Sequence, residues 1–217
     1  MLTRSRDGMA ARLAVYLVAD PTATRGRPLD AVVADAVRGG ATLVQLRVKD
    51  PATRPFVESA RALVALLRPL GVPLVVNDRV DVALAVGADG VHVGQDDMPA
   101  RDVRRLLGER AILGVSATNA DELHAIDARV ADYVGVGPVL ATGSKPDAAA
   151  PLGLHGLAAL CHASSLPVVA IGGITVDNAR AMIEHGAAGV SVISAICGAP
   201  DPAAAARALR SAVSPRP

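Results

Sequence analysis

Eight short runs rich in Val, Ile and Leu recur along the chain, and a longer segment with a helical apolar pattern follows each of them. Runs of this length are typical of strands buried on both faces, and their strict alternation with helices predicts a parallel sheet. The predicted strands are 13–19, 42–46, 73–76, 90–93, 112–115, 133–136, 168–171 and 189–193. The predicted helices are 29–38, 55–67, 80–86, 99–107, 120–129, 156–162, 178–185 and 202–213.

The number of strand–helix units decides between two forms of parallel sheet. Eight units in 217 residues leave no segment unassigned, which favours a single closed (β/α)8 barrel, the TIM-barrel architecture, over an open doubly wound sheet. Residues 1–12 are then an N-terminal extension, and residues 13–217 form one barrel domain. Glycine recurs between helix and strand at 39–41, 87–90 and 186–189, as expected where it ends a helix in left-handed backbone.

The charge balance and the apolar pattern exclude several classes of partner. With 22 basic and 21 acidic residues the formal net charge is +1, so no basic surface for nucleic acid or an anionic membrane is expected. No apolar run reaches membrane-spanning length, and the first twelve residues contain no apolar segment of a signal peptide. Cys161 and Cys197 lie far apart in the sequence, which favours a reducing cytoplasm over a disulfide scaffold. The sequence leaves open whether the chain forms a homo-oligomer.

Polar residues occur where the predicted strands end, and in a βα barrel this end carries the chemistry. In the second strand, Gln45, Arg47 and Lys49 alternate with Leu46 and Val48. A period of two places the three polar side chains on the inner face. Two cations there require an anion, and a pyrophosphate suits both; the alternative is that they lie on a solvated loop.

Carboxylates follow the third and fourth strands. Asp78 comes directly after the third strand, and Asp96 and Asp97 follow the fourth. Each could simply cap the helix that comes next. Two carboxylates on neighbouring strand ends, beside a pyrophosphate, are also what a Mg²⁺ site needs, and we favour that interpretation of the set.

The later strands predict a second anion site. Residues 142–145, after the sixth strand, offer amides, hydroxyls and one cation, which suit a phosphate. The glycine pair 172–173 after the seventh strand allows a ligand to approach the backbone, and Ser194 follows the eighth strand. Barrels often bind phosphate at this corner.

Two anion sites at one mouth, with a metal and no evident nucleophile or base, favour group transfer in which pyrophosphate leaves. Ser116 ends the fifth strand with a hydroxyl that could bond a ligand oxygen or cap a helix. His92 lies between valines in the fourth strand and is as consistent with a structural histidine as with a substrate contact.

Eight sequence blocks in order resemble those of the thiamine-phosphate synthase family, over residues 14–202. No single block is diagnostic, but their order and spacing together are highly specific. They are QLRVK at 45–49, NDR at 77–79, HVGQDD at 92–97, GVS at 114–116, DYVGVGP at 132–138, TGSK at 142–145, IGGI at 171–174 and VSVIS at 190–194.

The resemblance implies a reaction and a set of roles. The family joins hydroxymethylpyrimidine pyrophosphate to hydroxyethylthiazole phosphate, giving thiamine phosphate and pyrophosphate, and uses Mg²⁺. By this resemblance Asp78 and Asp97 bind Mg²⁺, while Asp96 is not a direct ligand. The implied contacts of the pyrimidine pyrophosphate are Gln45, Leu46, Arg47, Val48, Lys49, Asn77, Ser116 and Lys145. The implied contacts of the thiazole phosphate are Thr142, Gly143, Ser144, Gly173, Ile193 and Ser194.

The resemblance also implies a dissociative mechanism, in which pyrophosphate leaves before the thiazole nitrogen captures a pyrimidine-stabilised carbocation. Arg47, Lys49 and Lys145 are then the catalytic cations that stabilise the leaving group. The loop 140–151 is the candidate for closure over the substrates. It departs from the family pattern at Leu140 and Ala141, where an aromatic residue and a proline are usual, and at Ser144, which is often Thr.

Three alternatives remain open at this stage. A thiazole tautomerase of the same superfamily needs acid–base chemistry and is disfavoured by the cation pair, by Asp78 and Asp97, and by Thr118 where a catalytic histidine is expected. A non-catalytic barrel that binds a phosphorylated metabolite would share most of these residues. Another phosphate-binding barrel, such as an epimerase or an indole- or histidine-pathway enzyme, is permitted by fold alone.

Overall fold

The computed structural model describes residues 6–49, 52–143 and 149–214. Eight parallel strands pair in chain order and close into a barrel, β1 pairing with both β2 and β8. The strands are β1 Val15–Ala19, β2 Leu43–Leu46, β3 Leu74–Asn77, β4 Gly90–Val93, β5 Ile112–Ala117, β6 Tyr133–Val136, β7 Val168–Ile171 and β8 Gly189–Val192. The helices are α1 Arg6–Leu13, α2 Leu29–Arg38, α3 Thr53–Leu67, α4 Val80–Val86, α5 Ala100–Leu107, α6 Ala120–Ala125, α7 Gly153–Ala163, α8 Val176–Glu184, α9 Ser194–Cys197 and α10 Pro202–Val213.

The predicted closed barrel is confirmed, and the strands follow the predicted runs to within about two residues. Alternate strand residues face outward and pack against the helices in one large apolar layer, to which Val44 and Leu46 of β2 contribute. A strand buried in this way on both faces shows the continuous apolar run that identified it in the sequence.

The N-terminal end of the barrel is closed by α1, a helix that the sequence analysis did not predict. Met9 and Leu13 of this helix lie in an apolar cluster inside the barrel, with the rings of Tyr16 and Tyr133 above them. Leu13 is fully buried. Met9 and Leu13 therefore pack α1 against the core.

Glycines end helices as predicted. Gly87 and Gly186 have φ of 65° and 95°, a left-handed backbone that side-chain-bearing residues rarely adopt. Each lets the chain leave α4 or α8 and enter the next strand within a few residues.

Besides α1, two helical features differ from the sequence prediction. The helix predicted over 120–129 ends at Ala125, because Ile126 is extended and Asp127 begins a turn in which its carboxylate accepts from Arg129 N at 2.9 Å. The short helix α9 was not predicted. It is one turn long and directly follows β8. Across the described ranges, no helix is both long enough and apolar enough to cross a membrane.

Candidate active site

The mouth of the barrel, at the carboxyl ends of the strands, collects on two sides most of the predicted site residues that the structure describes. The ends of β2 to β5 carry the cations, the carboxylates and Ser116, and the ends of β6 to β8 carry the glycine- and hydroxyl-rich segments. Strand ends converge on one rim in a closed parallel barrel, so both groups border one opening.

Arg47 lies at the rim with a partner that the sequence analysis missed. Its Nη1 donates to Asp20 Oδ2 at 2.9 Å, and the two side chains are only 11% and 6% exposed. Asp20 directly follows β1 and also accepts from Thr22 N at 2.9 Å and Thr22 Oγ1 at 2.6 Å. The expectation that Arg47 needs an external anion therefore holds only in part. Asp20 compensates its charge and orients the guanidinium, whose other N–H groups donate to no acceptor within the described residues.

The alternation predicted for β2 is confirmed within the strand itself, which ends at Leu46. Gln45 is buried inside the barrel, and Lys49 is exposed beyond the strand end. Leu46 is fully buried in the outer apolar layer, and Val48 packs against that layer. Neither apolar side chain faces the mouth, so any contact that Leu46 or Val48 makes with a ligand must come from the main chain.

Asp78 occupies an unusual backbone position at the end of β3. Its φ is 61°, in the left-handed region that Asp and Asn tolerate better than most residues. Its exposed carboxylate accepts from the side-chain amide of Asn77. It does not cap α4, whose N-cap is Arg79 without a side-chain hydrogen bond. The capping alternative for Asp78 is thus wrong.

Asp97 also has a role other than capping. Its Oδ2 accepts from Gly94 N at 2.7 Å and so braces the turn after β4. The N-cap of α5 is Pro99, which makes no side-chain capping bond, so neither Asp96 nor Asp97 caps this helix. Asp97 keeps a second carboxylate oxygen that has no hydrogen bond within the described residues.

The donor set fits a hard cation better than a transition metal. Asp78 and Asp97 offer only oxygen ligands at neighbouring strand ends, as Mg²⁺ prefers. Within residues 6–49, 52–143 and 149–214, no three His, Cys, Asp or Glu side chains cluster as a metal site. One or two carboxylates suffice for Mg²⁺ when substrate phosphate and water complete the shell.

A chain of hydrogen bonds runs through the barrel interior up to the mouth, and the sequence analysis did not foresee it. Gln45 Nε2 donates to Tyr16 Oη at 2.6 Å, and Tyr16 Oη lies 2.8 Å from Tyr133 Oη. His92 Nδ1 lies 2.9 Å from Tyr133 Oη, and His92 Nε2 lies 2.9 Å from Ser116 Oγ. We call Gln45, Tyr16, Tyr133, His92 and Ser116 the interior chain.

Two glycines make room for the interior chain. A Cβ atom on Gly114 would overlap the Tyr133 ring and lie 2.5 Å from His92 Nδ1, and one on Gly135 would lie 3.1 Å from His92 Cε1. The residue type at position 114 is therefore set by the Tyr133–His92 contact, whose ring centroids are 5.5 Å apart.

Replacing Gly114 by alanine is expected to lower the free energy of unfolding by about 1–3 kcal/mol, because the added methyl overlaps a rigid ring that has no free space. Urea unfolding followed by circular dichroism measures this change. Gly143→Ala is a matched control, since a Cβ atom there meets none of the described residues within 4 Å. An equal loss in both variants would contradict the steric account.

The glycine pair after β7 serves the chain's own loop. A Cβ atom on Gly172 would lie 2.6 Å from Pro138 Cβ, and one on Gly173 would lie 2.6 Å from Ala141 O. Val139 N also donates to Ile171 O at 2.9 Å. The backbone that approaches these glycines is thus the segment after β6, whereas we had expected a ligand there.

The remaining residues of the predicted phosphate corner are partly described. Ser194 is exposed and begins α9, and Ile193 directly precedes that helix. Thr142 is half-buried and Gly143 exposed. The predicted Ser144 and Lys145, and with them the middle of the candidate closing loop, lie outside the described residues.

The described thiols and phenols do not supply a nucleophile at neutral pH. Cys161 and Cys197 are free thiols, and burial raises the pKa of Cys161 to about 11 and raises that of Cys197. Burial also raises the pKa of both Tyr16 and Tyr133 above the ordinary phenol value. These four groups therefore keep their protons at neutral pH.

Thr118, the position considered for a tautomerase histidine, has a structural role. Its amide and its hydroxyl donate to the Glu122 carboxylate at 2.7 and 2.9 Å. It braces the start of α6 together with Asn119, which caps the helix by accepting from Glu122 N at 2.9 Å.

Comparisons with known proteins show which family this sequence resembles. Residues 15–196 match the family profile described as thiamine monophosphate synthase. A thiamine-phosphate synthase of Chloroflexus aurantiacus is 54% identical over 200 residues, which are 92% of each chain. One from Solidesulfovibrio magneticus is 58% identical over 196 residues, which are 90% of this chain and 93% of the other.

Solved structures show the same architecture. A thiamine phosphate pyrophosphorylase from Pyrococcus furiosus superposes with a TM-score of 0.85 at 38% identity, over 94% of this chain and 97% of that one. A 3-hexulose-6-phosphate synthase has a TM-score of 0.65 at 18% identity, over 93% of this chain and 100% of that one, which shows a shared barrel and nothing more specific.

Proposed function

The chain belongs to the thiamine monophosphate synthase family, and we propose that it joins hydroxymethylpyrimidine pyrophosphate to hydroxyethylthiazole phosphate in a Mg²⁺-dependent transfer that releases pyrophosphate. The chemistry would take place in the cytoplasm, which the two free thiols favour.

One observation carries the proposal: the rim of β2 to β4 combines oriented cations with two carboxylates that no helix cap uses. Arg47 is held by Asp20 with further donors available, and Lys49 extends beyond the strand end. Asp78 and Asp97 lie on the two neighbouring strand ends. Cations and carboxylates together are suited to a pyrophosphate with its metal, because the carboxylates would hold Mg²⁺ while the cations would donate to the phosphate oxygens.

Asp78 and Asp97 are the residues that would hold Mg²⁺. When bound, Mg²⁺ supplies charge neutralisation on the departing pyrophosphate. Arg47 would donate to the same leaving group as a fork, and Lys49 and Lys145 as point charges. Asn77 would contact the same substrate while also donating to Asp78.

The thiazole phosphate would bind on the opposite side of the mouth, at Thr142, Gly143, Ser144, Gly173, Ile193 and Ser194. Two features support this assignment. Loops after the seventh and eighth strands of barrels frequently bind phosphate, and Ser194 begins a short extra helix at this corner. The two rings would then meet between the two anion sites, and holding them in register supplies much of the rate.

Pyrophosphate release tests the proposal when each substrate is omitted in turn. We expect release to be strongly accelerated when the thiazole phosphate accompanies the pyrimidine pyrophosphate, and to require Mg²⁺. Isomerisation of the thiazole without the pyrimidine would instead indicate a tautomerase. Binding of both compounds without turnover would indicate a barrel that only binds metabolites.

A further inference from the structure

The direction in which hydrogen bonds are donated along the interior chain follows from Gln45. The Gln45 amide nitrogen bears only hydrogens, so Tyr16 Oη, at 2.6 Å, must accept. The Tyr16 hydroxyl hydrogen then finds its acceptor in Tyr133 Oη at 2.8 Å. Both side chains are almost fully buried, so no solvent replaces a missing partner.

The same logic extends to the mouth. Tyr133, having accepted from Tyr16, donates to His92 Nδ1 at 2.9 Å. A neutral imidazole whose Nδ1 accepts carries its hydrogen on Nε2, and this hydrogen points at Ser116 Oγ, 2.9 Å away.

The opposite direction is disfavoured. If Tyr133 donated to Tyr16, the Tyr16 hydroxyl would accept twice, and its own hydrogen would have no acceptor inside the barrel. Burial raises the pKa of both tyrosines, so neither hydroxyl can lose its hydrogen to relieve the conflict. Only the first direction gives Tyr16, Tyr133 and His92 each both a donor and an acceptor.

We propose that His92 is a positioning residue, held as the Nε2–H tautomer by the interior chain, and that it thereby turns the Ser116 hydroxyl hydrogen toward the mouth as a donor to the pyrimidine pyrophosphate. Ser116 is also held through its carbonyl, which accepts from Gln95 Nε2 at 2.6 Å. In the described part of the chain, the Ser116 hydroxyl hydrogen has no acceptor. The identity of that acceptor rests on the proposed function, whereas the His92 tautomer is a property of the protein without substrate.

Nitrogen NMR of the histidine-labelled protein, without substrates, tests the tautomer directly. His92→Asn assigns the signal among the five histidines. We expect a protonated Nε2 and an unprotonated Nδ1 in the parent protein. Tyr133→Phe removes the donor to Nδ1 and is expected to give a mixture of tautomers. An Nδ1–H tautomer in the parent protein overturns the proposal.

A double-mutant cycle tests whether the interior chain affects the reaction through Ser116. Tyr133→Phe keeps the ring that packs edge-on against Tyr16, with centroids 5.8 Å apart, and removes only the hydroxyl. Alone it is expected to lower kcat/KM by about threefold to tenfold. In a Ser116→Ala background it should change kcat/KM little, because the group that it orients is gone. Equal factors in both backgrounds would mean a merely structural role and overturn the proposal.

Ser191→Ala is the matched control. Ser191 Oγ is buried in the same barrel and, within the described residues, has no hydrogen-bond partner, so its removal should leave the His92 tautomer unchanged. If Ser191→Ala changes the His92 tautomer as much as Tyr133→Phe does, the proposed role of the interior chain is contradicted. If Tyr133→Phe does not fold, Tyr16→Phe interrupts the interior chain one residue earlier and must also give a mixture of His92 tautomers. An inactive parent protein with the Nε2–H tautomer would refute the proposed function and leave the tautomer assignment standing.

Discussion

Asp97→Asn is expected to slow thiamine phosphate formation by on the order of 100-fold or more, since it removes a charge from the proposed Mg²⁺ site. Asparagine can still accept from Gly94 N, which Asp97 does at 2.7 Å, so the turn after β4 should persist. Asp78→Asn is expected to act similarly, because asparagine tolerates the φ of 61° and can still accept from Asn77.

Rates measured across a Mg²⁺ titration check this prediction, because weakened metal binding raises the Mg²⁺ concentration at half-maximal rate. Asp96→Asn is the matched control. Asp96 is exposed, adjacent to Asp97 and uninvolved in capping α5, so its replacement should leave the Mg²⁺ dependence unchanged. An Asp97→Asn variant with the parent's rate and Mg²⁺ dependence would exclude the proposed metal site.

Arg104→Ala is expected to lower the free energy of unfolding by about 3–5 kcal/mol, because it breaks a buried ion pair and removes the donor that several buried acceptors share. Arg104 Nη2 donates to Asp132 Oδ2 at 2.7 Å, and the side chains are 6% and 12% exposed. The same guanidinium donates to the carbonyls of Gly108, Ala111 and Val130. Arg104 thus connects the end of α5 to the segments that precede β5 and β6.

Urea unfolding measures this free energy. If the slope of the unfolding free energy against urea concentration is unchanged, the variant and the parent protein expose the same surface on unfolding and their free energies can be compared. Arg105→Ala is the control next in sequence. Its side chain is 78% exposed and pairs with Asp102 at 3.1 Å, so we expect a change of less than about 1 kcal/mol. Similar losses in the two variants would contradict a special role for the buried pair.

Much of the fold was predictable because strands and helices show separate periodicities. The runs that became β4, β6 and β7 were predicted with the bounds that the structure shows, since each is a short run rich in Val or Ile and is bounded by polar or turn residues. α1 was missed because its sequence has only a weak apolar pattern. Met9 and Leu13 are buried only because the barrel offers an open end to cover.

The site was predictable where residues act at their own strand end, and unpredictable where they act in pairs across the barrel. The position of Arg47 on the inner face followed from a period of two, but its carboxylate partner lies 27 residues earlier in the chain. The Tyr16–Tyr133 contact joins residues 117 apart. Such contacts depend on barrel closure, which no local pattern encodes.

The glycine after β7 shows the same limit. Sequence reasoning recognised that Gly173 permits close approach, but it could not tell whether a ligand or the chain's own Ala141 makes that approach. A local pattern reports that space is needed, and only the fold identifies the group that fills it.

The most direct test of the central claim is to incubate the purified protein with both substrates and Mg²⁺ and to measure thiamine phosphate as its fluorescent oxidised derivative, alongside pyrophosphate. The account predicts equal amounts of the two products, and no product in excess chelator. If thiamine phosphate does not form under any metal condition while the protein is folded, the proposed synthase function is contradicted.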